Sequence, residues 1–296
     1  MSMYLKSLLI FMLSLVVFVV NATNRALLIG IGQYDQMKTG WSRIHGDKDV
    51  ELLKPLLNKQ GFKDIVTLTN SEATKIAIVR ELKSLADRSN PGDKIYFHFS
   101  GHGQPVRDDN GDELISGKKY DESIIPYDAC RDNLKLGGSY EGQNHLIDDE
   151  FAPLLNNIKE KIGEKGELFV VVDACYSKGI QKDEVTEIDP DILKYSRGTD
   201  QPFVPKPGST YLKNIPTPKD YKKTGNMTVV TACQSDESNY EYKIDSRTRY
   251  GSLSYYIYIL LKSTADFSKW RKSFLNEEYM GRNIFQSIQH PSIEIF

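Results

Sequence analysis

Two short apolar runs constrain this chain more than anything else in it. Val170-Val171-Val172 ends in Asp173-Ala174-Cys175, and Ile95-Tyr96-Phe97-His98-Phe99-Ser100 ends in Gly101-His102-Gly103. Runs this short, apolar at consecutive positions and followed by turn residues, read as buried strands of a parallel sheet covered on both faces. In open α/β sheets the ligand crevice lies outside the carboxyl ends of the strands, which is where Cys175 and His102 fall. A thiol and an imidazole brought together there make a nucleophile and its base. Alone, a Cys is usually a small core hydrophobe. As a pair at two strand ends, with glycine on both sides of the histidine, they point to a cysteine hydrolase, and most simply to a peptidase. A metal site on His98 and His102 fails on geometry, because residues four apart on a strand stand about 13 Å apart.

The rest of the chain alternates strand and helix. Ala26-Leu27-Leu28-Ile29 is a first strand followed by a glycine turn. Asp47 to Gln60 is amphipathic, with Pro55 expected to kink it or to mark its true start. Ile65 to Leu68 is a short strand, Lys75 to Ala86 a helix, and Pro91-Gly92-Asp93 turns the chain into the histidine strand. Residues 104–122 read as a polar loop. Asp108, Asn110 and Asp112 alternate as in a calcium loop, but the glycine is misplaced and the twelfth position is Lys119, so the EF-hand pattern fails. Asp148-Asp149-Glu150 opens a helix, where acids are favoured by the dipole. Met227 to Ala232 is a strand, Gly251 to Leu261 a helix, Ser273 to Ile288 a last helix, and Ser292 to Ile295 a closing edge strand. The fold class is therefore α/β, with a mostly parallel central sheet of about six strands and helices on both faces.

The chain has 296 residues, 40% hydrophobic and 26% charged, which is enough for a substantial core. A net charge of −2 gives no reason to expect nucleic-acid binding. Residues 1–22 read as a signal peptide: Lys6, an apolar run of 14 residues from Ser7 to Val20, and a small residue, Ala22, before the cut. That run is short for a membrane span, so the expected product is secreted or periplasmic, with no membrane attachment after cleavage. Of the three cysteines, Cys130 and Cys233 are left as an open pairing if Cys175 is free. Residues 178–226 carry six prolines and many Lys and Asp without periodicity. Such a stretch is a long functional or nick-prone loop, set within a single domain spanning 23–296.

Taken in order, these pieces resemble the caspase-haemoglobinase superfold, and within it the metacaspases of the bacterial type. The resemblance rests on Ala26-Leu27-Leu28-Ile29-Gly30-Ile31, Gly46 with Asp49, Pro91-Gly92-Asp93, and Phe99-Ser100-Gly101-His102-Gly103. It continues through Tyr120-Asp121-Glu122-Ser123-Ile124-Ile125-Pro126-Tyr127-Asp128, Ile147-Asp148-Asp149-Glu150 and Asp173-Ala174-Cys175-Tyr176-Ser177. It ends with Thr231-Ala232-Cys233-Gln234-Ser235-Asp236-Glu237-Ser238 and His290-Pro291-Ser292-Ile293-Glu294. The chain departs from the family where metacaspases commonly have Cys-His-Ser-Gly and it has Cys175-Tyr176-Ser177-Lys178-Gly179.

The resemblance implies a cysteine endopeptidase in which Cys175 attacks and His102 moves the proton. Gly103 and Cys175 N–H groups would form the oxyanion hole. Asp173, two residues before the nucleophile, makes the adjoining pocket acidic. Asp49 and Ser100 match the family's pocket residues, so the implied partner is a polypeptide cut after Arg or Lys. A basic-specific zymogen would then process itself in the 178–226 loop. The family's calcium positions fall on Asp121, Asp148, Asp149 and Asp183, the last with Lys178 counted as an insertion, so Ca2+ is implied as an activator. A monomer is expected. The readings left beside this one are an inactive caspase-like binding module and a caspase-fold peptidase of other specificity.

Overall fold

The computed structural model describes residues 22–111, 120–134, 138–176, 194–199, 201–215, 226–234, 237–285 and 289–296. Residues 1–21 of the segment read as a signal peptide, Asp183 and more than half of the proposed processing loop lie outside those residues. A six-stranded sheet forms the centre, in the order β11-β8-β7-β3-β1-β2. Its strands are β1 (Asn24–Gly30), β2 (Asp64–Thr69), β3 (Lys94–Ser100), β7 (Glu167–Asp173), β8 (Met227–Thr231) and β11 (Ser292–Ile295). All neighbours run parallel except the edge strand β11.

Alternate residues of each strand feed two cores, as the pleat requires. Leu27, Ile29, Phe97, Phe99, Val170 and Val172 face one side, with α3 (Lys75–Arg88) and α4 (Asp148–Ile162) packed over them. Ala26, Leu28, Tyr96, Phe169 and Val171 face the other side, under α2 (Gly46–Lys59), α5 (Ser252–Ser263) and α6 (Phe267–Leu275). A one-turn helix, α1 (Gln36–Thr39), precedes α2. Beside the main sheet, β4 (Gly103–Arg107), β5 (Tyr120–Ile124) and β6 (Leu146–Ile147) make an antiparallel sheet, and β9 (Glu241–Lys243) pairs with β10 (Arg249–Gly251).

Several sequence expectations needed correction. Residues 103–107 form a strand rather than loop: Gly103 to Arg107 pair antiparallel with Ile124 to Tyr120. The last helix is α6, beginning at Phe267, where the Asp266 carboxylate accepts the Ser268 N–H at 3.0 Å. It stops at Leu275, ahead of Glu277 at φ +52° and a 3-10 turn at Met280–Arg282. Pro55 does not start α2: it lies inside the helix, on its exposed side. None of the three cysteines is disulfide-bonded, and all three are buried.

Glycine sets the closest packing at the strand ends. A Cβ at Gly30 would lie 2.3 Å from the Gly46 carbonyl oxygen, and one at Gly46 would lie 2.4 Å from that of Ser100. The first turn of α2 therefore sits directly on the ends of β1 and β3, and Asp49 enters the site from it.

Candidate active site

The register of β3 and β7 pairs Ser100 with Asp173. His102 and Cys175 each lie two residues past that pair, at neighbouring strand ends as the sequence implied. Gly103 rests against the nucleophile's backbone: a Cβ there would come within 2.4 Å of the Cys175 carbonyl oxygen. His102 is fully buried, lying 4.8 Å from the Trp41 ring and 5.0 Å from that of Tyr34. Its Nε2 donates to the Ser42 carbonyl at 2.9 Å, which fixes the proton there and leaves Nδ1 as the basic atom. Nδ1 itself is buried and has no hydrogen-bond partner among the described residues. Burial pushes the imidazole down to about 4, so at neutral pH it is an uncharged base. The Cys175 thiol donates to the Glu237 carbonyl at 3.2 Å. Its neighbour Cys233, hydrogen-bonded to it, is pushed well up by that bond and by burial.

Asp49, Ser100 and Asp173, the three pocket residues named from sequence, are brought together and are wholly buried. Ser100 Oγ donates to Asp49 Oδ2 at 2.6 Å, and the Gly251 N–H donates to Asp49 Oδ1 at 3.0 Å. Asp173 accepts from Asn239 Nδ2 at 2.7 Å. A third acidic residue was not anticipated: Glu241, 2% exposed, accepts the His45 N–H at 2.7 Å.

Arg197 fills this pocket. Its guanidinium is fully buried, 2.9 Å from Asp49, 2.8 Å from Glu241 and 3.7 Å from Asp173, and it also bonds Ser100 Oγ. Burial alone would favour the uncharged guanidine, but the three carboxylates together raise its pKa further. Burial also works to raise Glu241, yet Arg197 and His45 hold it below the usual carboxylate range. Asp49 goes the other way. Its burial, with Asp173 and Glu241 close by, pushes it up to about 7 against the pull of Arg197. The Arg197 carbonyl oxygen, in turn, accepts the N–H of Gly103 at 3.0 Å and that of Cys175 at 3.1 Å. These are the two amides read from sequence as the oxyanion hole.

At some remove, carboxylate oxygens of Asp121, Asp148 and Asp149 lie within 4.8 Å of one another. Asp121 is on β5, and the other two begin α4. Asp121 and Asp149 are buried. The Asp148 carboxylate accepts the Glu122 N–H at 3.2 Å.

The caspase domain family matches residues 23–278. The chain belongs to the caspase-domain family of cysteine peptidases. Among its curated relatives, Metacaspase-1A of Aspergillus niger is 32% identical over 165 residues, 52% of this chain and 35% of that protein. Metacaspase-2 of Trypanosoma brucei brucei is 26% identical over 231 residues, 75% of this chain and 57% of that protein. The chain thus spans about a third of the fungal relative and just over half of the trypanosome one. Among solved structures, protein GSU0716 of Geobacter sulfurreducens superposes with a TM-score of 0.60 at 19% identity, covering 92% of both chains. Caspase-1 of Spodoptera frugiperda gives 0.55 at 11% identity, covering 93% of this chain and 89% of that one. These likenesses carry the caspase fold.

Within this caspase domain, the residues that sequence reasoning missed all act by contact across the fold. Ser42 and Trp41 come from the loop before α2, and Tyr34 from the loop after β1. Tyr34 accepts the His102 N–H at 3.2 Å and donates its own proton to the Ile125 carbonyl at 2.8 Å. Glu241 belongs to a short strand whose sequence carries no distinguishing pattern. Arg197 stood in a basic, proline-rich loop as one cation among several.

Proposed function

We propose that this caspase domain is a cysteine endopeptidase that cuts after Arg or Lys, using Cys175 as nucleophile and His102 as its base. The observation that carries this reading is the guanidinium in the pocket. A buried cation faces three carboxylates, while the carbonyl of the same residue bridges two backbone donors beside Cys175. In catalysis, His102 Nδ1 takes the thiol proton, and the thiolate attacks the carbonyl carbon of the basic residue. The Gly103 and Cys175 amides stabilise the resulting oxyanion. His102 then returns the proton to the leaving amine, and water releases the acyl group. Trp41, Tyr34 and Ser42 hold the ring and its tautomer. Cutting after Asp would need cations in the pocket wall, and the wall residues contacting Arg197 are Asp49, Ser100, Asp173 and Glu241.

The deciding experiment is a panel of fluorogenic peptides ending in Arg, Lys or Asp, with a peptidyl electrophile to titrate the thiol. Arg and Lys substrates are expected to be cut and Cys175 to be labelled. Preference for Asp, or activity surviving Cys175→Ala, would overturn the assignment.

The same reading extends to calcium. Asp121, Asp148 and Asp149, with Asp183 from the loop after the nucleophile, would supply hard carboxylate oxygens of the kind this cation takes. Three crowded carboxylates, two of them buried, repel one another, which supports a cationic occupant. Bound there, Ca2+ would activate without entering the chemistry.

A further inference from the structure

A second guanidinium lines the carboxyl side of the seated arginine. Ser196 to Thr199 crosses the site with a bend at Arg197 between two isolated bridges, Ser196 to Tyr240 and Gly198 to Gly103. Arg197 occupies the acidic pocket and Gly198 lies against Cys175, so Thr199 holds the place of the second residue after the seated carbonyl. There Arg131 Nη2 donates to Thr199 Oγ1 at 3.0 Å, and the same oxygen accepts the Gln201 N–H at 3.2 Å. The position is built around an acceptor side chain.

The backbone of Arg131 is anchored on both sides. Its N–H donates to the Thr39 carbonyl at 2.8 Å, and its carbonyl accepts Gln104 Nε2 at 2.9 Å. Gln104 Nε2 also donates to the Gln201 carbonyl at 2.9 Å, so one side-chain amide joins the base of Arg131 to the crossing segment. The guanidinium carbon lies 5.9 Å from the centre of the Trp41 ring, which itself lies 4.8 Å from the His102 ring. Arg131 therefore stands on the side of the site where His102 meets the leaving amine. The pocket acids Asp49, Asp173 and Glu241 face Arg197 instead. Among the described residues no carboxylate pairs with Arg131, and Thr199 is the one side chain its guanidinium bonds. A half-buried fork of five N–H donors is thus left with most of them unspent on the protein.

We propose that Arg131 selects the second residue after the cut bond of a substrate, favouring an acidic side chain there, then a hydroxyl, and disfavouring a cation. This rests on the reading of Cys175, His102 and the acidic pocket as a peptidase site with basic specificity. It is independent of the fate of the crossing segment's own backbone, since Thr199 only marks where a substrate side chain would lie. An Asp or Glu in that place meets the guanidinium with two oxygens in a charge-assisted pair, where threonine offers one neutral acceptor. A Lys in that place is set against a guanidinium with no counter-charge beside it, which is a repulsive element of specificity. The preferred substrate then carries opposite charges on the two sides of the cut: a cation in the pocket, and an anion two residues beyond it.

The test is kcat/KM of the full chain, with calcium chloride added, on end-blocked quenched peptides reading Arg-Gly-X-Ala-Gln, where X is Asp, Thr, Ala or Lys. The Asp peptide is expected to be cut about tenfold faster than the Lys peptide, with Thr and Ala between them. The ratio should shrink in about 0.5 M sodium chloride, as a half-exposed charge pair is screened. Arg131→Glu should invert the order, placing Lys ahead of Asp, and Arg131→Lys should keep it. Arg131→Ala should bring the four rates within about twofold of one another, since the selecting charge is gone. Melting curves show that the variants are folded, and the peptide series on the parent decides without them. Equal rates for the Asp and Lys peptides in the parent, or an order that survives in Arg131→Glu, overturn the assignment of Arg131 and leave the peptidase reading standing. If no Arg peptide is cut, or if Cys175→Ala still cuts, the peptidase reading fails and the proposal with it.

Discussion

Asp173 is tied to Ser254: the amide and the hydroxyl of that serine donate to the same carboxylate oxygen, at 2.8 and 2.6 Å. Ser254 lies in the first turn of α5, so the helix N-terminus reinforces both bonds. Asp173 stands farther from Arg197 than Asp49 and Glu241 do. Its main work is to fix α5 against the end of β7, and its charge completes the pocket at longer range. Glu241 makes the direct hydrogen bond to the guanidinium.

The two acids should therefore separate in kinetics. Glu241→Gln is expected to raise KM for Arg peptides about 10- to 100-fold with a smaller change in kcat, as loss of a charged hydrogen bond does. Asp173→Asn puts a second amide against Asn239, and should lower stability by about 1–3 kcal/mol as well as weakening binding. Steady-state kinetics and melting curves on both variants read this. A larger KM effect for Asp173→Asn at unchanged stability would reverse the roles.

Acid should unfold the protein through its buried histidines. His98 bonds Tyr96 and Ser254, and His145 bonds Tyr140 and Gln104. Burial lowers His98 and His102 to about 4 and His145 to about 3. An unfolded histidine titrates near 6.5, so between there and these values the unfolded chain binds more protons, and stability falls as pH falls. Asp49 works in the opposite sense, because a carboxyl raised to about 7 takes its proton first in the folded state. Three histidines against one carboxyl leave a net loss of about 3 kcal/mol from pH 7 to pH 5. Denaturant midpoints at the two pH values measure it, and equal stabilities would contradict the burial of these rings.

Strand identity and the two reactive ends could be read from sequence because each depends on a contiguous run. Residues 95–100 and 170–173 can only be buried strands, and a parallel pair necessarily brings its carboxyl ends together. The ring holders Trp41, Ser42 and Tyr34 were invisible, since they reach His102 from loops whose course is set by packing on α2 and β1. Glu241 was hidden likewise by a strand three residues long. The loop of residues 178–226 showed its charge and its prolines, but no local pattern could say that Arg197, rather than a neighbouring lysine, was the cation that reached the pocket. That choice is made by glycine at position 198, whose reason lies in the backbone of Cys175.

The geometry at position 198 also predicts preference in added substrates. A quenched peptide reading Tyr-Ser-Arg-Gly-Thr should be cut at least tenfold faster, in kcat/KM by the processed enzyme, than one with valine after the arginine. The valine Cβ would have to enter space taken by Cys175. Replacing the tyrosine with alanine should cost less, about two- to fivefold. Its counterpart Tyr195 is held by the Arg249 guanidinium 4.3 Å from the ring and by His45 at 5.4 Å, contacts worth about 0.5–1 kcal/mol. Equal rates for the glycine and valine peptides would remove the requirement.

Calcium should register in stability before it registers in rate. Asp121, Asp148 and Asp149 converge from β5 and the start of α4, so a cation bound among them joins the small sheet to that helix. A ligand that binds only the folded chain stabilises it by about 2.7 kcal/mol at a hundred times its dissociation constant. Calcium chloride is therefore expected to raise the melting temperature of Cys175→Ala, in which no self-cleavage can confuse the reading. Magnesium should do less, since it demands a tighter octahedral set of oxygens. Asp149→Asn should abolish the calcium shift. A calcium response that persists in Asp149→Asn would place the cation elsewhere, and no response in the parent would leave these acids as a helix start and a strand end.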